Sequence, residues 1–166
     1  MLVRLSAAIC GATILFACSS IAMARSEIRA VRSDAVNRTA YGNTVVGAAS
    51  MYNPYRPGYQ EGGTSTATGE RYNPSAWAAA IQTDLRERFG GVRPGSRASY
   101  ALVEGTNKRA IIKINDVGSL TPGRVIDFNE QTMRYFDPTL RRGVIQNVRV
   151  TPLFGDDWTP GPIAQR

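Results

Sequence analysis

Ile111-Ile112-Lys113-Ile114-Asn115-Asp116-Val117-Gly118, followed after Pro122-Gly123 by Arg124-Val125-Ile126-Asp127-Phe128, gives two apolar, β-branched runs that each reach an aspartate. Short runs of this composition bounded by turn residues read as strands. Ten residues separate Asp116 from Asp127, and the chain must reverse between them, which brings both carboxylates to one end of a shared sheet. Asp116 has the strand parity of Ile112 and Ile114, and Asp127 that of Val125. Each acid is therefore expected to continue an inward-looking row.

Working outward, Ser99 to Glu104 and Ala110 to Asn115 flank Gly105-Thr106-Asn107-Lys108 and predict a hairpin. Val45 to Tyr52 reads as a strand ended by Asn53-Pro54. Gly143 to Thr151 reads as another, with Val144, Gln146, Val148 and Val150 on one face and Ile145, Asn147 and Arg149 on the other. Asn129 is placed to cap a short helix through Phe136, with Met133 and Phe136 as its apolar contacts and Asp137-Pro138 as its stop. Two readings stand for 74–89: one amphipathic helix carrying Trp77, Ile81, Leu85 and Phe89 every fourth residue, or a strand over Trp77 to Ile81 and a short helix capped at Thr83. Five or six short strands with one or two helical turns predict a mainly β chain closed as a small barrel.

The 166 residues suffice for one core of ordinary size. There is no histidine, which excludes an imidazole base, a histidine-activated nucleophile and histidine-ligated zinc. Both cysteines, Cys10 and Cys18, precede the body, so no disulfide staples it. No metal constellation, phosphate-cradling glycine loop or cofactor fingerprint is present, and neither metal nor cofactor is expected. Proton chemistry is left to carboxylates, Tyr, Lys or water. A third acid, Glu70, closes the polar run Thr64 to Gly69. A lone Asp after a strand is ordinarily a turn former or cap; the grouping of three raises these above that.

Leu5 to Ala17 is apolar or small and leads to Ala22-Met23-Ala24, a small-x-small signal-peptidase site. Residues 1–24 thus read as a signal peptide. The alternative is a lipobox, Leu15 to Cys18, with acylation of Cys18 and an outer-membrane anchor. Either way the protein is exported, to the periplasm or cell envelope, and a membrane is met only through Cys18. Arg25 to Thr44 reads as a linker, 45–154 as the domain and 155–166 as a loose tail. The formal charge of +7 suits an anionic wall polymer or membrane surface rather than nucleic acid, or serves only solubility.

Gly47-Ala48-Ala49-Ser50-Met51-Tyr52, Thr66-Ala67-Thr68-Gly69-Glu70, Ile114-Asn115-Asp116-Val117-Gly118 and Gly123-Arg124-Val125-Ile126-Asp127-Phe128, in that order and closed by Val148-Arg149-Val150, resemble the RlpA-like (rare lipoprotein A) family. The resemblance spans roughly residues 45 to 152. It implies a six-stranded double-psi β-barrel, shared with expansins, and binding to peptidoglycan glycan strands, with lytic transglycosylase activity on peptide-stripped strands in several members. It also favours the strand-plus-helix reading of 74–89. Carried over by position, Glu70, Asp116 and Asp127 match the family's acids. Asp116 is then the expected general acid and base, its pKa raised in an apolar barrel mouth, with Glu70 and Asp127 shaping the site. Tyr52, Tyr55, Tyr59 and Tyr72 are candidates to stack on sugars or to cover the barrel end. Thr66 and Thr68, and Arg56, Arg71 and Arg124 for carboxylates, complete the candidate binding residues.

The departures weigh against catalysis more than against fold. Ile81 stands where the family has histidine, Val117 where it has arginine, and Met51 where it has tryptophan, with an insertion over Gln82 to Gly91. A non-catalytic, expansin-like wall-binding module is the alternative to the enzyme, and an adaptor for cell-division or envelope proteins a third possibility.

Overall fold

The structure, a computed structural model, describes residues 42–56 and 63–164. The export segment with Cys18, most of the linker, and Tyr59 lie outside the described residues. The strands are β1 (Val45–Met51), β2 (Ala78–Gln82), β3 (Ser99–Gly105), β4 (Lys108–Gly118), β5 (Arg124–Phe128), β6 (Ile145–Leu153) and β7 (Gly161–Ile163). A 3-10 helix covers Thr83–Phe89, and α1 covers Glu130–Phe136. Six strands close in the order β2-β5-β1-β6-β3-β4, with β4 returning to β2, and β7 adds to β4. The β1–β5 and β2–β4 pairs are parallel and the rest antiparallel. This is the mainly β, six-stranded barrel that the resemblance implies.

The barrel interior is filled by alternate residues of each strand, among them Ala79, Ile81, Ile112, Ile114, Ile126, Phe128, Val148 and Val150, each 1% exposed or less. Met133 and Phe136 bring α1 onto the same core, and Phe136 stacks on Phe128 at 5.3 Å. β1 can run beside β5 because Gly47 has no side chain. A Cβ there would fall inside the Val125 side chain and 2.9 Å from Gly123 O. The hairpin turns at Thr106 and Asn107, both with positive φ (48° and 58°), the conformation that matches strand twist in a two-residue loop.

Several local expectations change. Residues 74–89 resolve as strand plus helix, but the helix is 3-10, and its first N–H, from Thr83, is met by the Gln82 side chain rather than by a Thr83 cap. Asn129 occupies the N-cap position of α1 without making the cap bond; its Nδ2 donates instead to Asn73 O at 2.7 Å, tying β5 to the segment before β2. β6 does not alternate strictly. Ile145 and Val148 are both buried while Gln146 and Asn147 are exposed, because an extra residue is inserted opposite β1 and Asn147 takes φ +57°. In the tail expected to be loose, Gly161–Ile163 pairs with Arg109–Ile111 as an edge strand.

Candidate functional site

The parity expectation for both acids is overturned, for two separate reasons. On β5, Ile126 and Phe128 are the buried residues, so Val125 and Asp127 belong to the opposite, outward row. On β4, Ile114 pairs with Ala79 but the next pair along is Asp116 with Ala80, leaving Asn115 as an extra residue. That bulge turns Asp116, which strict alternation would bury behind Ile112 and Ile114, onto the outer face. Ala80 of β2 is also opposite Asp127 of β5, and Asp127 is opposite Ser50 of β1. Ser50, Asp127, Ala80 and Asp116 therefore form one row across four strands, outside the barrel. Ala80 is central because its methyl leaves room above it. Tyr52 and Tyr72 fill that room, forming with Ala80 a buried cluster apart from the main core, their rings edge-to-face at 4.9 Å.

The Thr66–Glu70 segment supplies the fourth wall. It is a small hairpin closed by Thr66 N–H to Glu70 O (2.8 Å), Tyr72 N–H to Thr64 O (2.8 Å) and a Ser65–Arg71 bridge, with Gly69 at φ +87° allowing the reversal. Thr68 N–H bonds the carbonyl of the bulged Asn115 at 3.1 Å, which docks the hairpin on the end of β4. Asp116 then receives three donors. Oδ1 accepts from Ala67 N–H (2.8 Å) and Val117 N–H (2.9 Å), and Oδ2 from Tyr52 Oη (3.1 Å). An apolar mouth is not what surrounds it. Tyr52 is pushed well above the ordinary phenol range, chiefly by burial, then by the charge of Asp116 and the bond to it, with Tyr72 and Asp127 adding to the shift. It remains a neutral donor, and Asp127 stands close enough to be felt by it. Tyr72 is raised in the same sense, again first by burial, and its hydroxyl donates to Tyr52 O at 2.7 Å.

Glu70 is on the same hairpin but is committed elsewhere. It pairs with Lys113 and accepts from Asn115 Nδ2 at 3.1 Å, and these contacts, Lys113 foremost, hold its carboxyl below the usual carboxylate range. The threonines serve the turn: Thr66 is buried, its hydroxyl within 3.1 Å of Thr68 Oγ1 and of Glu70 O. Arg71 is exposed beside Tyr55, its Nε donating to Tyr55 Oη at 3.3 Å. Arg56 is bound to Glu130. Arg124 opens β5, three residues and about 10 Å of strand from Asp127, and is not gathered into the cluster. Ile81 is fully buried in the core, and Val117 packs partly against it, so neither position presents a polar group to the acids. Clefts of about 480, 620 and 770 Å3 elsewhere on the domain are lined by other residues; Asp116 and Asp127 are half-buried, with Asp127 Oδ1 out of contact with solvent.

Sequence reasoning did not single out Ser50 or Ala80. Ser50 is 4% exposed, and its hydroxyl has no hydrogen-bond partner among the described residues. The alternation of buried Ala49 with outward Ser50 and Tyr52 was the signal available.

Fold and site together define a double-psi β-barrel whose outer face carries two carboxylates in one row, one of them held by a tyrosine. The chain belongs to the lytic transglycolase family, which it matches over residues 44–150, and so carries a lytic-transglycosylase-like domain. No curated protein sequence matches it. Among solved structures it is similar to the Streptomyces papain inhibitor (SPI), with a TM-score of 0.52 and 16% identity over 68% of this chain and 96% of that one; the likeness is one of fold.

Proposed function

We propose that this chain is an exported protein that acts on peptidoglycan glycan strands as a lytic transglycosylase, cleaving peptide-stripped strands to leave 1,6-anhydromuramic ends. The observation that carries this reading is the outward row in which Asp116 and Asp127 flank Ala80. Two strand spacings put their Cα atoms about 10 Å apart, close enough for both carboxylates to act on one sugar polymer, with Tyr52 and Tyr72 packed between them over Ala80. A carboxylic acid gives its proton to the glycosidic oxygen as the bond to the anomeric carbon breaks. The 6-hydroxyl oxygen of the same sugar bonds to that carbon, and its proton returns to the carboxylate, so no water is consumed. Every hydrogen bond given to Asp116 above is one it accepts. That fixes it in the row beside Asp127, and the proton exchange falls to this pair of carboxylates. Tyr52 holds Asp116 in place, and Glu70, salt-bridged, holds the hairpin.

Incubation with peptide-stripped sacculi should release anhydro-ended products detectable by mass spectrometry. Asp116→Asn and Asp127→Asn should each reduce release at least about 100-fold. Unchanged release in both variants would remove this row from the chemistry. The apolar Ile81 and Val117 beside the acids favour a second reading, a non-catalytic wall-binding module, which predicts pelleting with sacculi and no soluble product at any dose.

A further inference from the structure

The end of the 3-10 helix, the turn at 93–96, the start of β3 and the end of β6 enclose the cleft of about 480 Å3. None of Glu70, Asp116 and Asp127 lines it. Arg88, Arg93 and Arg97 do, all exposed, against one acid, Asp156. Among the described residues none of these three arginines forms an ion pair. Arg88 gives one N–H to Asn43 O at 2.8 Å and keeps the rest of its fork. The floor is apolar, with Phe89 at 2% and Leu153 at 4% exposure, and Phe154 stands on the rim at 56%.

Like charges gathered around a concavity repel one another, an arrangement that a bound anion relieves. Guanidinium forks match carboxylates in geometry, and an apolar floor with an exposed ring suits a ligand that has flat apolar faces as well as charge. The cleft volume is that of an ordinary small-ligand site. We infer that this cleft is a second polymer-binding site that takes a carboxylate-bearing muramyl unit of a glycan strand, apart from the acid face. The inference rests on the wall-polymer reading and deepens it. The preferred substrate is a strand that keeps its lactyl carboxylates, and uncharged strands of the same backbone are poorer ligands.

Trp158 reports on this region, since its Nε1 donates to Phe154 O at 3.0 Å, whereas Trp77 packs on Tyr135. Indole fluorescence of the whole chain is followed while adding soluble peptide-stripped strands, and separately the same strands with their carboxyls reduced to alcohols. Wild type should bind the carboxylated strands more tightly, with affinity falling as salt rises. Arg93→Gln/Arg97→Gln should bind them about tenfold more weakly and bind the reduced strands as wild type does. Asp116→Asn should keep the preference for carboxylated strands. Equal wild-type affinity for the two polymers, salt-independent binding, or a double variant that binds carboxylated strands as wild type does would each overturn the cleft proposal while leaving the wall reading intact. Absence of binding to both polymers would remove the wall reading, and this site with it. The polymer and salt comparisons need wild type alone, so they decide the matter even if the double variant does not fold.

Discussion

At the scale of single residues, the site turns on hydrogen bonds whose donors and acceptors are fixed. Among the described residues Tyr52 is the one side chain that bonds Asp116, the other two donors being backbone. Tyr52→Phe keeps the ring packing on Tyr72 and Ala80 but removes the O–H. It should cost about 1 kcal/mol in urea denaturation and lower product release more than strand binding, because it loosens Asp116 without touching the cleft of arginines. The Glu70–Lys113 pair makes a different prediction. Its folded carboxyl titrates below the usual range, so its contribution to stability is present above the unfolded value of about 4.3 and is lost as pH falls through the folded value. Glu70's side chain is 46% exposed, and solvent screening keeps the contribution to about 0.5 kcal/mol. Wild type should therefore exceed Glu70→Gln by that small margin at pH 7, and the two denaturation midpoints should converge as pH falls through the folded value.

At the scale of elements, what was legible in the sequence follows from what a period of two can encode. The runs at Val45, Ser99, Ala110 and Arg124 became strands because their apolar residues have somewhere to go on a closed barrel, though the third begins two residues earlier, at Lys108, and Thr106-Asn107 became the hairpin turn. The row that makes the site was not legible, because it depends on the inserted residue at Asn115, and an insertion is visible only when the partner strand is known. Asp127 was assigned to the row of Val125 correctly, but the face of that row was misjudged: Ile126 and Phe128 take the core. The β6 insertion can be tested directly. Asn147 sits at φ +57°, where Asn is tolerated and a β-branched residue is strained. Asn147→Val should destabilise by about 1–2 kcal/mol, whereas Gln146→Val, at the equally exposed neighbour, should change stability by less than about 0.5 kcal/mol. Equal effects at both positions would mean that β6 pairs without the insertion.

At the scale of the whole molecule, the barrel is already closed by six strands, and β7 is an addition whose position says what it does. It pairs with Arg109–Ile111 at the start of β4, while Asp116 lies five to seven residues further along the same strand, about 15–25 Å away. β7 therefore covers a piece of edge and does not touch the site. A chain ending at Thr159 removes β7 and leaves Trp158, Asp156 and the arginine cleft in place. Three ladder pairs on a half-exposed surface are worth about 1–2 kcal/mol, so the shortened protein should unfold at a lower urea concentration with its far-ultraviolet dichroism almost unchanged. The exposed edge of β4 should also make it more prone to associate at high protein concentration, as an uncovered strand edge offers unpaired N–H and C=O groups. Product release from stripped sacculi, per folded molecule, should be that of the full chain. A selective loss of release with stability intact would mean that the segment after Thr159 reaches the polymer, and that the two ends of β4 act on one substrate.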